Sequence, residues 1–241
     1  MKKLITLTVL FISISSISQT EIEIYNILLK NHVSDQGKID YKGLEKNKKL
    51  LDIYLEYLVK TVPSNKWSTD KARAFWLNAY NAYTLKLIID NYPLKKITDI
   101  KKDGKNAWQL PIANIGRYNY TLDHIEHKVL RKWHYDARLH AGLNACATSG
   151  PRFPNFAFTE KNIDEKLEVL MKDFINDSSK NKISTEKLEL SKVFEWYTKD
   201  FTQKGSLINY INKYAKTKAN NDAQISYLEY DWTLNDNVIH P

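Results

Sequence analysis

The stretch STDKARAFWLNAYNAYTLKLIIDNYP, residues 68–93, decides the fold. Ser68 or Thr69 can cap the start of a helix, and Pro93 is a residue at which helices stop. Between them, apolar residues cover almost the whole circumference of a helix, which is typical of a helix buried on all sides. We therefore predict one continuous, central helix over residues 70–90. Its mostly buried side chains are expected to include Phe75, Trp76, Ala79, Tyr83 and Leu87.

The rest of the chain alternates between helical and extended patterns. Residues 20–33 and 44–62 space apolar side chains by three and four positions, which predicts two amphipathic helices. Gly116 lies between two short apolar stretches, which predicts a hairpin leading into a helix at 123–133. Further helices are predicted at 162–177 and 206–216, and extended segments at 182–191 and 225–235. Because βαβ alternation is missing, we predict an α+β fold: a helix-rich single domain with a buried central helix and a small, mostly antiparallel sheet.

The amino terminus has the pattern of a secretory signal peptide. Lys2 and Lys3 precede an apolar run from Leu4 to about Ile14, and small polar residues follow. The run is too short for a membrane span, which needs roughly 20 apolar residues. We predict a leader at 1–19, a single domain at 20–241 and no transmembrane segment, so the mature protein would be exported and would be periplasmic or secreted.

The net charge and the predicted export indicate which partners to expect. The formal net charge is +8, and loss of the two lysines of the predicted leader would leave +6. Lysines alternate with acids even in the densest cluster, residues 94–105, which favours a solvated face over a site for an anionic polymer. Export argues against nucleic acid as a partner.

A single cysteine cannot form an intramolecular disulfide, so stability must come from packing.

Two asparagines lie within the otherwise apolar predicted central helix. Asn78 and Asn81 are three residues apart and therefore neighbours on one face. A buried amide without a hydrogen-bond partner costs on the order of 1 to 3 kcal/mol, so both are expected to be paired. They either tie loop backbone to the core or line a ligand pocket, and the sequence leaves both readings open.

The next predicted helix carries a polar stripe. Asp123, His127 and Arg131 recur at i, i+4 and i+8, and Glu126 lies beside His127. An acid and a guanidinium on either side of an imidazole can fix its tautomer and adjust its charge state. The same stripe could be an exposed ladder of ion pairs. Both interpretations remain open at this point.

The lone cysteine follows a second histidine. Arg138 and His140 are two residues apart, so they would share a face if this segment were extended. Cys146 could then approach His140 or His127, and a thiol beside an imidazole is a minimal activated nucleophile. The small apolar residues around Cys146 favour burial instead, and burial would leave an inert thiol. We expect Cys146 to be largely buried.

Metal and cofactor sites are not predicted. His124 and His127 have a usable ligand spacing, and His140 could join them, but the fuller zinc patterns are absent. The sequence also lacks a glycine loop that would hold phosphates and a nucleophile elbow of the G-x-S-x-G type. We therefore expect neither a metal nor an organic cofactor.

Six stretches in order resemble the domain of unknown function 547 family. Along the chain they are GKIDYKGL (37–44), FWLNAYNAYTL (75–85), LDHIEHKVLR (122–131), RLHAGLNACATSGP (138–151), VFEWYTKDF (193–201) and YLEYDWTLN (227–235). The resemblance spans nearly all of the predicted mature chain. It implies an α+β domain and matches the histidine of the family's I-E-H motif to His127, with Glu126 and Arg131 beside it.

The same resemblance raises a question about the cysteine. In the family, the R-x-H motif is often followed by a cysteine five residues after the histidine and by a Cys-Pro pair further on. Here Ala145 holds the fifth position, Cys146 follows one residue later, and Gly150 precedes Pro151. In an extended segment, a shift of one residue turns a side chain to the opposite face.

Three functional readings follow from the sequence. The first is a cysteine-peptidase-like hydrolase or transferase that uses Cys146 with His127 or His140. The second, which the cysteine shift favours, is a binding module whose pocket holds a small or polymeric ligand of the cell envelope. The third is a structural protein without a pocket. In the first two, Asn78, Asn81, His127, Arg138 and His140 are expected to converge on one site.

Overall fold

The computed structural model describes residues 20–237, and the predicted leader lies outside them. Its centre is helix α4, Thr69–Ile89, which confirms the predicted continuous helix. The Ser68 hydroxyl caps α4 by accepting a hydrogen bond from the Lys71 amide at 3.1 Å. The five side chains expected to be buried are all at most 7% exposed.

Helices surround α4 on several sides. Before it lie α1 (residues 20–32), α2 (Tyr41–Lys46) and α3 (Lys48–Lys60). After it come a π-helix (His124–Leu130) continued by α5 (Arg131–Trp133), then α6 (Leu139–Gly142), α7 (Ile163–Asn176), α8 (Lys192–Trp196), α9 (Thr198–Phe201) and α10 (Leu207–Tyr214). Helices α2, α3 and α7 and the π-helix all contact α4. The single helix predicted at 44–62 is divided, because Asn47 leaves helical geometry between α2 and α3.

Within the described residues, 20–237, the strands form three small sheets. They are β1 (Lys101–Lys102), β2 (Lys105–Asn106), β3 (Ala113–Ile115), β4 (Tyr118–Tyr120), β5 (Lys182–Ile183), β6 (Lys187–Leu190) and β7 (Gln224–Tyr227). Pairs β1–β2, β3–β4 and β5–β6 are antiparallel, and β6–β7 is parallel. The β3–β4 pair is the predicted hairpin, and its turn uses Gly116 at a φ of 59°, where glycine is favoured. The α+β class is confirmed.

The carboxyl-terminal segment is less regular than its sequence pattern predicts. Strand β7 ends at Tyr227, whereas apolar and polar residues alternate as far as Leu234. Beyond β7 the chain is held by single bridges, Lys96 to Thr233 and Ala147 to Leu234. Exposure nevertheless alternates from residue 228 to residue 234, because one face of this segment packs against the rest of the protein. It thereby carries Tyr230 and Trp232 to the site described below.

Within residues 20–237, no helix is both long enough and apolar enough to cross a membrane.

Candidate functional site

A cavity of about 280 Å³ lies between the π-helix, the loop after α6, helix α8 and the carboxyl-terminal segment. Its lining combines two kinds of side chain. Six aromatic residues, here called the aromatic wall, contribute to it: Tyr80, Trp108, Trp196, Tyr197, Tyr230 and Trp232. The ionisable and imidazole groups Asp123, Glu126, His127 and His140 lie among them. The volume is near the lower end of ligand pockets, which run from roughly 300 to 1,000 Å³, so the cavity suits a small molecule or one unit of a polymer.

The polar stripe of the π-helix faces this cavity. The buried side chains of Ile125 and Leu130 anchor the opposite face in the core. Arg131 Nη1 lies 2.9 Å from His127 Nδ1, and because a guanidinium can only donate, this nitrogen accepts. The remaining ring proton is therefore on Nε2, which lies 4.0 Å from Asp123 Oδ1. The stripe thus holds His127 as a neutral imidazole of defined tautomer.

Asp200 of α9 joins the two histidine regions. Its carboxylate accepts hydrogen bonds from Arg131 Nε and Nη2 at 2.6 and 3.1 Å. His140 Nε2 lies 2.8 Å from the same carboxylate and donates to it. Burial alone would raise the pKa of Asp200, but the hydrogen bonds from His140 and Arg131 outweigh it and hold that pKa well below 3.8. This acid therefore stays ionised and fixes both partners.

Tyr197 connects these polar groups to the aromatic wall. Its ring stacks on His140 with centroids 4.0 Å apart, and the Arg131 guanidinium lies 4.9 Å from its centre. Burial, together with the nearby Glu126, raises the pKa of Tyr197, so the hydroxyl remains protonated and donates to the Glu126 carboxylate. Glu126 is only 6% exposed. One hydrogen bond leaves most of the accepting capacity of a carboxylate unused.

Three tryptophans from separate parts of the chain meet at the aromatic wall. Trp232 stacks with Trp196 at 5.7 Å and contacts Trp108 edge to face at 5.6 Å. Tyr230 lies 4.6 Å from Trp232, and the Trp108 indole donates to the Tyr80 hydroxyl at 3.1 Å. These contacts hold large apolar faces in fixed positions beside the acids and imidazoles.

Asn81 does not line the cavity, but it binds the loop after α6 that does. Its side chain donates to the Gly142 carbonyl at 2.9 Å and accepts from the Asn144 amide at 3.0 Å. Asn144 in turn donates to the Pro151 carbonyl and accepts from the Cys146 amide at 2.8 Å. Asn81 therefore ties the cysteine loop to the central helix. Of its two open readings, the structure favours the tie to loop backbone.

Cys146 does not face the cavity. Its side chain is 0% exposed and lies against Tyr41 of α2, and its backbone has a φ of 57°. Burial raises the pKa of the thiol to about 12, so it is neutral near neutral pH. The expectation that Cys146 is largely buried is confirmed. The structure does not bring its thiol to the cavity that His127 and His140 line.

The cavity is lined instead by Ala145, which is partly exposed. This is the residue five positions after His140, where the family resemblance implies a cysteine. Successive side chains of the loop point to different sides, so the shift of one residue separates a cavity-lining methyl group from a buried thiol.

Two of the expected site residues lie elsewhere. Asn78 pairs with both backbone groups of Phe158 and lines a different cavity. Arg138 pairs with Asp136, Asp164 and Glu168 beside a larger groove of about 630 Å³. Arg138 and His140 would share a face in an extended segment, but the chain is helical from Leu139, and side chains two residues apart along a helix point to different sides. Arg138 and His140 consequently diverge, which corrects the expected convergence of all five residues.

Several groups that complete the site are not among the residues predicted from the sequence. Asp200 and Tyr197 are the main omissions, although both lie within VFEWYTKDF, a stretch that carried the family resemblance. Trp108 and Trp232 are further omissions, and Trp232 lies in the extended segment predicted at 225–235. The available signal was the density of aromatic residues around isolated acids in these stretches.

Among residues 20–237, no group of three or more His, Cys, Asp or Glu side chains is arranged to hold a metal ion. His124, considered as a ligand beside His127, packs on the Tyr120 ring at 5.2 Å.

Comparison with known proteins gives one match. Residues 64–175 match the family described as "Protein of unknown function, DUF547". This region contains α4, the π-helix, α6 and the cysteine loop, and the match confirms the resemblance to that family. No curated protein and no solved structure matches the chain.

Proposed function

We propose that this protein is an exported binding module of the cell envelope that holds a small ligand, or one unit of a polymer, without covalent chemistry. The observation that carries the proposal is the cavity itself, whose lining combines the aromatic wall with Asp123, Glu126, His127 and His140. Large apolar faces opposite a few fixed polar groups are the usual composition of a small-molecule site. Export rests on the pattern of residues 1–19 and is part of the proposal.

The polar wall is preorganised for such binding. His127 is oriented by Arg131, and His140 is held between Asp200 and Tyr197. Side chains already fixed by their neighbours lose little conformational freedom when a ligand arrives, so less of the interaction energy is lost to ordering. Imidazole N–H groups can donate to a ligand, and carboxylates can accept from it.

A thiol hydrolase or transferase that uses Cys146 with His127 or His140 is the second candidate. One observation favours it: His140 is oriented by the buried carboxylate of Asp200, as a general base is oriented in many enzymes. A nucleophile must also be ionisable and accessible to substrate. Cys146 is neither, since it is fully buried with a raised pKa and lies outside the cavity.

Binding is tested by tryptophan fluorescence of the purified protein. The probes are two series of six-membered rings: cyclohexylamine, cyclohexanol and cyclohexanecarboxylate, and glucosamine, glucose and glucuronate. At least one probe is expected to quench the fluorescence of the wild type. Trp232→Ala should weaken that binding about tenfold, because the ligand loses an aromatic face.

Two matched variants control this measurement. Trp133→Ala removes a tryptophan that is 69% exposed and lies outside the cavity, so it should bind as the wild type does. Cys146→Ser should also bind normally, since the thiol does not line the cavity. Failure of every probe to bind, or binding that Trp232→Ala leaves unchanged, would contradict the proposal.

A further inference from the structure

We infer that the cavity selects an organic cation, a ligand that carries an ammonium group on an apolar body. The inference rests on the proposed function and specifies its ligand. It follows from three features of the same site: two carboxylates that line the cavity with no lysine or arginine beside them in the lining, a histidine whose Nδ1 accepts from Arg131, and an aromatic wall in the same cavity.

The charge of the lining is negative in an otherwise basic protein. The chain has a formal net charge of +8, yet the described residues that line the cavity include Asp123 and Glu126 and neither lysine nor arginine. Arg131 is the nearest guanidinium in the network, and its Nε and Nη2 atoms are already hydrogen-bonded to Asp200. Its charge is therefore largely offset by a third acid outside the lining.

His127 does not neutralise the two acids. Within the described residues, the ion pairs of Asp123 and Glu126 are with His127, at 4.0 and 3.9 Å. An imidazolium would carry a proton on both ring nitrogens, whereas Nδ1 must keep its lone pair to accept from Arg131. His127 is therefore neutral in this arrangement.

The aromatic wall completes the selection. A cation is attracted to the face of an aromatic ring, most strongly to tryptophan, and Trp108, Trp196 and Trp232 all line the cavity. An ammonium between this wall and Glu126 would be stabilised on both sides. An anion would be repelled on both, and a neutral ligand would cover the carboxylates without compensating their charge. An apolar body attached to the cation would occupy the remaining aromatic surface.

The test compares isosteric probes that differ in charge. Cyclohexylamine, which is protonated near neutral pH, is expected to bind the wild type about tenfold more tightly than cyclohexanol, and cyclohexanecarboxylate is expected not to bind. Glu126→Gln should reduce the preference for the amine over cyclohexanol to about twofold or less. Asp222→Asn, at an exposed position outside the cavity, should keep the full preference.

A second variant covers the case in which Glu126→Gln fails to fold, because Glu126 is buried. Asp123→Asn changes a half-exposed acid on the same wall and should also lower the preference for the amine. Equal binding of cyclohexanol and cyclohexylamine would overturn the inference and leave the proposed function in place. If the preference for the amine survives both substitutions, the inference is likewise overturned and the proposed function stays in place. Absence of binding by every neutral, cationic and anionic ring would contradict the proposed function as well.

Discussion

Replacing Trp76 with alanine is expected to lower the free energy of unfolding by about 3 to 5 kcal/mol, the cost of truncating a large core side chain. Trp76 is 5% exposed at the middle of α4. Its ring packs edge to face on Phe75 at 5.4 Å and on Tyr120 of the hairpin at 5.2 Å. The substitution removes both contacts and leaves a void where α4 meets β4. Urea denaturation of the purified protein measures the change.

Trp133→Ala is the matched control for this prediction. It removes the same side chain from the end of α5, where Trp133 is 69% exposed. Surface substitutions of this kind usually change stability by less than about 0.5 kcal/mol. If the two variants lose similar amounts of stability, α4 is not the centre of the core.

Asp200→Asn is expected to destabilise the protein by about 3 kcal/mol near neutral pH. The carboxylate is the shared partner of Arg131 and His140, and the substitution leaves a partly buried guanidinium without a counter-ion. Breaking a buried ion pair in this way costs about 3 to 5 kcal/mol. We expect the lower end of that range, because the Arg131 side chain is 27% exposed and can regain some solvation.

The same variant has a pH signature. The pKa of Asp200 is lowered in the folded protein, so its contribution to stability is fully present above the ordinary aspartate value of 3.8. It is lost as the pH falls below that value and through the lowered folded-state pKa. The stability difference between wild type and Asp200→Asn should therefore shrink in acid. Asp222→Asn, which changes an exposed acid, serves as the control, and a difference that stays constant down to acid pH would contradict the assigned role of Asp200.

Local patterns were sufficient to predict the elements around the site. Helix α4 could be predicted because its apolar residues cover the whole circumference, and the β3–β4 hairpin because Gly116 permits its turn. These features depend on residues close together in sequence. The polar stripe of Asp123, His127 and Arg131 was predictable for the same reason, since helical spacing alone brings them together.

The rest of the site depends on contacts between distant segments. Asp200 lies 60 residues after His140, and no local pattern indicates that α9 places its carboxylate 2.8 Å from that imidazole. Periodicity is not informative over the few residues around Arg138, and the short helix there separates Arg138 from His140. Asn78 and Asn81 share a helix face, yet they bind two different loops. Sequence spacing shows which residues are neighbours on a helix, but it does not show which distant segments they contact.

If the cavity binds its ligand without a thiol nucleophile, Cys146 of the native protein should resist alkylation. With iodoacetamide near neutral pH, we expect reaction far slower than in urea-unfolded protein, because the thiol is fully buried and its pKa is raised to about 12. Rapid alkylation of the native protein, accompanied by loss of hydrolysis of p-nitrophenyl acetate, would contradict the account and favour a thiol enzyme.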